Sequence, residues 1–493
     1  MTTSVSTDVP ARLDRLPWAR WHWMVLVGLG TVWILDGLEV TIVGALGSRL
    51  TDPAGGLHLS DAGVGLAASI YIVGAVVGSL VLGYATDRLG RKRLFLVTLV
   101  IYLAATVLTA VSFNPVWFFA MRFCAGFGIG GEYAAINSAV DELIPARVRG
   151  RVDLAVNGSY WLGAMAGAAL TIPLLNTSLF APGLGWRLAF ALGALLGFGI
   201  LLVRRKVPES PRWLFTHGHV DDADRLVADI ERTVSEQTGE RLDDVDDSIR
   251  VRPRGHVGFV VVARTLLRAY PRRTVLGLGL FVGQAFLYNA VYFTESLVLS
   301  TFFHVPDANA GVYLIPLAAG SLLGPLVLGR LFDTVGRRPM IAISYLGSAA
   351  LLVVTGVLFG SGSLSATTLT IAWAVVFFLA SAGSSAAYLT VSEVFPLEIR
   401  ALAIALFYAV GTGLGGIIGP LLFGNLVGTG HPGAVAIGYY VGAAVMAAGG
   451  VLELAIGVEA EGRSLEDLAA PLSTDDADGG TGGDELIGTA AKG

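Results

Sequence analysis

Asp36, Glu39 and Arg122 are ionisable side chains set inside long apolar stretches of this chain. Asp36 and Glu39 stand three residues apart in Leu35-Asp36-Gly37-Leu38-Glu39-Val40-Thr41, a spacing that puts both carboxyls on one face of a helix. Arg122 opens Arg122-Phe123-Cys124-Ala125-Gly126-Phe127-Gly128-Ile129-Gly130-Gly131-Glu132-Tyr133 in a later stretch. A charge at the centre of a bilayer costs about 2.5–3.5 kcal/mol on insertion scales, so each of these groups needs a partner or a wet cavity. Counted from the outer ends of two antiparallel helices, Glu39 and Arg122 both lie about 10–12 Å deep at ~1.5 Å per residue, so they can meet. The chemistry open to them is proton binding. Burial favours a neutral acid and an adjacent guanidinium favours the carboxylate, so a motion that parts such a pair would let the acid take up a proton.

These residues must be positioned by membrane helices. The chain has 493 residues, 54% of them hydrophobic and only 14% charged, with a mean hydropathy of +0.69. That is too little charge to cover a soluble protein of this size, so the bilayer is its solvent. A spanning helix needs about 20 apolar residues. Such runs fall near 23–47, 62–85, 94–113, 115–140, 152–176 and 186–204, then near 273–301, 311–332, 339–360, 366–391, 401–427 and 434–457. The first is no cleaved leader, because it is long, carries Asp36 and Glu39 and follows a polar tail. Of the 33 Lys and Arg, Arg49 and Arg187 fall in loops on one side and Arg122 within a helix, which leaves 30 for the other side and the tails. The positive-inside rule then places both termini in the cytoplasm, with the protein in the cytoplasmic (inner or plasma) membrane.

Two short motifs occur twice. Gly83, Asp87, Gly90, Arg91 and Lys92 return 246 positions later as Gly329, Asp333, Gly336, Arg337 and Arg338. Glu142 and Arg149 return 251 positions later as Glu393 and Arg400. Duplicated hydrophobic halves joined by basic loops mark a secondary transporter whose halves rock about a central site. On these paired motifs the chain resembles the major facilitator superfamily, near its sugar porters and metabolite:proton symporters. The resemblance implies an all-α integral membrane protein of twelve transmembrane helices in two pseudo-symmetric six-helix halves. The expected divisions are an N-terminal tail (1–22), a first bundle (23–204), a cytoplasmic linker with short amphipathic helices (205–272), a second bundle (273–457) and a partly disordered tail (458–493).

Sugar porters that carry protons have an Asp in helix 1 facing an Arg in helix 4, and Glu39 and Arg122 match that pair by position. The resemblance thus implies that Glu39 takes and releases the proton while Arg122 tunes it, with Asp36 sharing or owning the role. Gly131-Glu132-Tyr133 is similar to the metabolite:proton symporters, whereas Pro208-Glu209-Ser210-Pro211-Arg212-Trp213-Leu214 and the tail 458–468 resemble sugar-porter motifs. Gln284 and Asn289 keep the sugar-porter interval in helix 7, but Leu287, Phe293-Thr294, Val458 and Glu461 depart from the pattern. Candidate substrate-binding residues are Glu132, Tyr133, Asn157, Tyr160, Trp161, Gln284, Tyr288, Asn289 and Tyr292. Pro316 and Pro325 in helix 8 and the glycines of helix 11 suggest bends.

The repeated loops suggest a cytoplasmic gate made of Asp87, Arg91, Asp333, Arg337, Glu142, Arg149, Arg151, Glu393 and Arg400. Asp87 ends helix 2, where its own helix dipole is unfavourable, and the start of helix 11 near Arg400 would receive it. By symmetry Asp333 would face the start of helix 5 near Arg149 and Arg151. Trp18, Trp21 and Trp23 read as an interfacial anchor, 220–237 as an amphipathic helix under the bundle and 256–270 as an interfacial helix. The lone Cys124 excludes an intramolecular disulfide. No phosphate loop, zinc-spaced cluster or nucleophile motif stands in the sequence. The expectation is therefore a monomeric transporter and no enzyme, without cofactor, metal or nucleic-acid partner. It would be driven by the proton gradient and move a sugar, polyol or organic acid by symport. Proton-driven efflux and a non-transporting receptor are the alternatives.

Overall fold

The computed structural model describes residues 5–472 except 177, 205–206, 246–247, 252–257, 293, 306–309 and 471. Twelve helices of 20 residues or more form its body. The first half holds α1 (Arg20–Ala45), α2 (Asp61–Leu89), α3 (Arg91–Ala110), α4 (Pro115–Leu143), α5 (Arg149–Leu174) and α6 (Pro182–Arg204). The second holds α7 (Pro271–Tyr292), α8 (Ala310–Thr334), α9 (Arg337–Gly360), α10 (Ala366–Val394), α11 (Arg400–Gly428) and α12 (Pro432–Ile456). Ten of these are long and apolar enough to cross a membrane; α4 and α5 are the two that fall short. Both carry many polar residues that the bundle buries, Arg122, Glu132, Asp141, Glu142, Arg149, Asp153 and Asn157.

Packing follows the sequence repeat. Within the first half α2 lies on α4 and α1 on α5; within the second, α8 lies on α10 and α7 on α11. The halves meet through α2 on α11 and α8 on α5, a symmetric pair of contacts. The α2–α4 seam depends on glycine. A Cβ on Gly126 would stand 2.1 Å from the Tyr71 carbonyl oxygen and one on Gly130 2.0 Å from that of Ala75. Gly74 and Gly78 of α2 return the same close approach to Phe123 and Phe127. Small residues of this kind let backbones touch where no water drives association.

Several expectations are corrected. The seventh run is two helices, α7 and the short Glu295–Phe303. The Thr294 hydroxyl donates to the Ala290 carbonyl at 2.5 Å beside the break. Helices α8 and α11 run unbroken through their prolines and glycines, a continuity with which the expected bends are compatible. The N-terminal segment is more than a polar tail, because its strand Val5–Thr7 pairs antiparallel with Ile249–Val251 of the linker. After it, the short helix Val9–Asp14 docks on the linker helix Val220–Thr238. There Glu231 accepts hydrogen bonds from Arg12 at 2.6 Å and Arg15 at 2.5 Å. Trp21 is buried and its backbone N–H donates to Gln237, while Trp23 is 55% exposed. The linker helix buries Ala223, Val227, Ile230 and Val234 along one stripe. The tail beyond 472, expected to be disordered, lies outside the described residues.

Gly130→Ala should destabilise the first half by about 1–3 kcal/mol, the usual range for overpacking. Gly413→Ala, where a Cβ meets nothing within 4 Å, should be near neutral. Thermal unfolding of the detergent-solubilised variants would show this, and equal midpoints would contradict the seam.

Candidate functional site

At the end of the bundle that carries the repeated loops, charges interlock across the two halves. Asp87 accepts from the Leu402 N–H at 3.0 Å, in the first turn of α11. Asp333 accepts from the Gly150 N–H at 3.0 Å and the Arg151 N–H at 2.9 Å, in the first turn of α5. Each carboxylate thereby meets the positive end of a helix in the opposite half. Arg91 pairs with Asp87 at 3.4 Å and Glu142 at 2.8 Å. Arg337 pairs with Asp333 at 2.7 Å and Glu393 at 3.1 Å. Across the halves, Arg400 approaches Glu142 and Arg149 approaches Glu393, both at 3.6 Å. Arg151 takes part through its backbone alone, and its side chain is exposed.

A second layer braces this end. Glu209 accepts from the Arg91 N–H at 2.8 Å and so caps α3. Glu461 does the same for α9 through the Arg337 N–H at 3.2 Å. Burial pushes the Glu209 carboxyl above its usual range, against the pull of backbone donors from Ser210, Arg91 and Lys92. Arg212 donates to the Asp141 and Glu142 carbonyls and pairs with Asp14 at 3.2 Å and Glu466 at 3.1 Å. Both tails are thus tied to the same arginine.

Deeper in the first half lies the carboxyl and guanidinium cluster. Glu39 accepts from Arg122 and, at 3.0 Å, from the Thr106 hydroxyl. The Arg122 guanidinium also lies 4.3 Å from the Tyr71 ring centroid, a cation–π distance. Tyr71 donates its hydroxyl to Asp36 at 2.8 Å, and Tyr133 donates to the other Asp36 oxygen. Asp36, Glu39 and Arg122 are at most 3% exposed. The two carboxyls therefore have different surroundings. Glu39 is neutralised by an ion pair, whereas Asp36 is held by two phenols.

Tyr133 leads from this cluster to a central cavity of about 180 Å³ between the halves. Of the candidate substrate-binding residues, Tyr133, Asn157, Tyr160, Trp161, Gln284, Tyr288, Asn289 and Tyr292 line it. Glu132 does not. It accepts from the Thr98 hydroxyl of α3 at 3.1 Å inside the first bundle, because one residue along a helix is a turn of ~100°. Aromatic rings from opposite halves meet on two sides of the cavity. Trp33 stacks on Tyr133 with centroids 4.6 Å apart, and Tyr408 lies 4.6 Å from Tyr133. Trp161 stacks on Tyr288 at 5.3 Å. Toward the other end, the Thr41 and Tyr292 hydroxyls lie 2.8 Å apart and join α1 to α7.

Trp33, Ser381, Ser384, Ser385, Tyr388, Tyr408 and Thr412 also line the cavity and were missed by sequence reasoning. A signal was present, since positions 381, 384, 385 and 388 form a polar stripe at helical spacing in an apolar helix. Gln284 accepts from Ser384 at 2.8 Å, so it both lines the cavity and joins α7 to α10. Asn289 donates to the Ala285 carbonyl of its own helix.

Comparison with known proteins agrees with this architecture. The profile described as "Sugar (and other) transporter" matches residues 20–471. The niacin transporter NiaP of Acinetobacter baylyi is 28% identical over 462 residues, 94% of this chain and 99% of that protein. A D-xylose transporter of Levilactobacillus brevis is 26% identical over 423 residues, 83% of this chain and 87% of its own length. The solved proton:xylose symporter XylE, from E. coli, superposes with a TM-score of 0.73 at 20% identity, covering 90% of this chain and 98% of that one. The chain belongs to the sugar (and other) transporter family, integral membrane proteins of the major facilitator superfamily that carry small metabolites.

Proposed function

We propose that this protein is a proton-coupled symporter for a small ring-shaped metabolite, working by alternating access in the cytoplasmic membrane with both termini and the basic loops on the cytoplasmic side. The observation that carries the coupling is Asp36. It is buried, hydrogen-bonded to phenols rather than to a cation, and linked through Tyr133 to the wall of the cavity. Arg122, engaged by Glu39, holds the charge balance beside it. Asp36 and Glu39 form one protonation unit joined through Tyr71, which donates to Asp36 and stacks under Arg122.

Substrate class follows from the lining. Aromatic faces on two sides suit a flat or puckered ring. Asn157, Gln284, Asn289 and the serines of α10 offer both donors and acceptors. Among the described residues no charged side chain lines the cavity, so the site favours a solute that is neutral, or an acid carried together with its proton. The names of the relatives, niacin and D-xylose transporters, point to compact rings of this kind. A proton crossing with the solute supplies about 2.3 kcal/mol per 100 mV of membrane potential, enough to concentrate the solute some tens of fold.

In the conformation described, the interlocked charges close the cytoplasmic end. Solute and proton enter from the other side, past Thr41 and Tyr292. With the proton on the Asp36 and Glu39 unit, Tyr133 can turn its hydrogen bond from Asp36 to the solute. Release inward requires Asp87 to leave the start of α11 and Asp333 the start of α5.

Addition of one solute class (sugars, polyols, heterocycles or carboxylates, given singly) should alkalinise the medium of de-energised cells expressing the protein. Glu39→Gln should abolish the signal. Binding without alkalinisation for every class would contradict symport. Asp87→Asn should raise the inward-open population and increase severalfold the labelling of Ser384→Cys from the cytoplasmic side, in a Cys124→Ala background. Unchanged labelling would remove Asp87 from the gate.

A further inference from the structure

Two buried carboxyls remain after every charge of the gate has been paired. Asp141 lies in the last turn of α4 and Asp153 one turn into α5. Both are fully buried, and no side-chain oxygen of either sits in a well-formed hydrogen bond; the Ser392 hydroxyl and the Asn157 amide are polar groups beside them. Glu393 and Ser392 of α10, Arg149 of α5 and Arg400 of α11 face Asp141. Asp141 itself, Glu393, Arg337 of α9 and Asn157 face Asp153. Asp333 of α8 reaches the same first turn of α5.

The possible partners lean toward other groups, although the Arg149 Nε and the Arg400 Nε and Nη1 carry no hydrogen bond. Ser392 donates to the Leu389 carbonyl at 2.8 Å. Asn157 donates to Asn137 and to the backbone carbonyl of Asp153. Arg149 and Arg337 bind Glu393, Arg400 approaches Glu142, and Arg91 serves Glu142 and Asp87. Four guanidinium groups thus balance Asp87, Glu142, Asp333 and Glu393, and two carboxyls are in excess. A buried charge without a partner is neutralised or binds a metal. Among the described residues no group of three His, Cys, Asp or Glu could hold a metal ion. The proton is the ligand that remains. Asp153 also stands one turn, ~6 Å, from Asn157 in the cavity wall, on the way from cavity to gate.

We propose that Asp141 and Asp153 form a second proton-binding site, set between the cavity and the cytoplasmic gate, which holds its proton while the gate is closed and gives it to cytoplasmic water when the gate opens. The carboxylic O–H breaks, the carboxylate stays with the protein, and the water that enters on opening solvates it. The site rests on the reading of this end as a gate, and it does not depend on which solute is carried or on Asp36.

Infrared difference spectroscopy on the purified full-length protein tests it without substrate. The parent should show at neutral pH a carboxylic acid C=O band that Asp141→Asn/Asp153→Asn loses, with the single variants each losing part of it should the pair fail to fold. Labelling of Ser384→Cys from the cytoplasmic side, taken at each pH relative to the denatured protein so that thiolate formation cancels, should rise severalfold with pH across the neutral range in the parent and stay flat and low in the pair variant, whose amides imitate the protonated acids. An unchanged C=O band, a preserved pH profile, or a profile that shifts when sodium is replaced by choline would overturn the proposal. Alkalinisation by solute reports on Asp36 and Glu39 separately, so the two readings can fail independently.

Discussion

Buried charge is the constraint on which this molecule depends. In hydrocarbon an unpaired ion is so costly that each one must find a counter-ion, a hydrogen bond or a proton. The chain buries Asp36, Glu39, Arg122 and the arginines and carboxylates of its basic end almost completely. Where the partners sit in the same half, as Glu39 and Arg122 do, the pair can persist while the halves move. Where they sit in opposite halves, as Asp87 and Leu402 or Arg149 and Glu393 do, motion and charge pairing are one event. Under the proposed alternating access such a gate would have two states rather than a continuum, because half-parted buried ions satisfy neither water nor each other.

The same logic underlies the proposed coupling of solute to proton. Tyr133 touches both the acid and the cavity, and its ring packs against Tyr408 of the other half. On the proposed mechanism, a change in the protonation of Asp36 would alter what Tyr133 can donate to, and hence how the aromatic faces of the two halves meet. The energetic link is short and made of neighbours in contact. The linker and both terminal segments add a brace at the end of the bundle that carries the repeated loops, through Arg212 with Asp14 and Glu466.

Much of this was legible in the sequence where a physical rule fixes position. The 246- and 251-residue repeats imply pseudo-symmetry, and from that alone Asp87 and Asp333 could be aimed at the starts of α11 and α5. Equal depth placed Glu39 against Arg122. Rotation about a helix was harder. Glu132 and Tyr133 are neighbours in sequence but face α3 and the cavity respectively, and a family resemblance at Gly131-Glu132-Tyr133 could not separate them. The stripe Ser381 to Tyr388 was readable but small beside the apolar bulk of α10. The docking of the N-terminal strand on residues 249–251 depends on backbone pairing between distant polar segments, for which hydropathy carries no signal. Glu461 read as a departure from a motif, and only the geometry shows it capping α9.

The central claim is that Asp36, linked to the cavity through Tyr133, couples the proton to the solute rather than merely binding helices together. The most direct measurement compares two modes of transport in proteoliposomes containing Asp36→Asn. Exchange of labelled for unlabelled solute across the membrane needs no net proton movement, whereas accumulation against a gradient does. The account predicts that exchange continues in the variant while accumulation driven by a pH gradient is lost. Accumulation at the parent's level, or loss of both modes together with the fold, would contradict it and return Asp36 to a structural role.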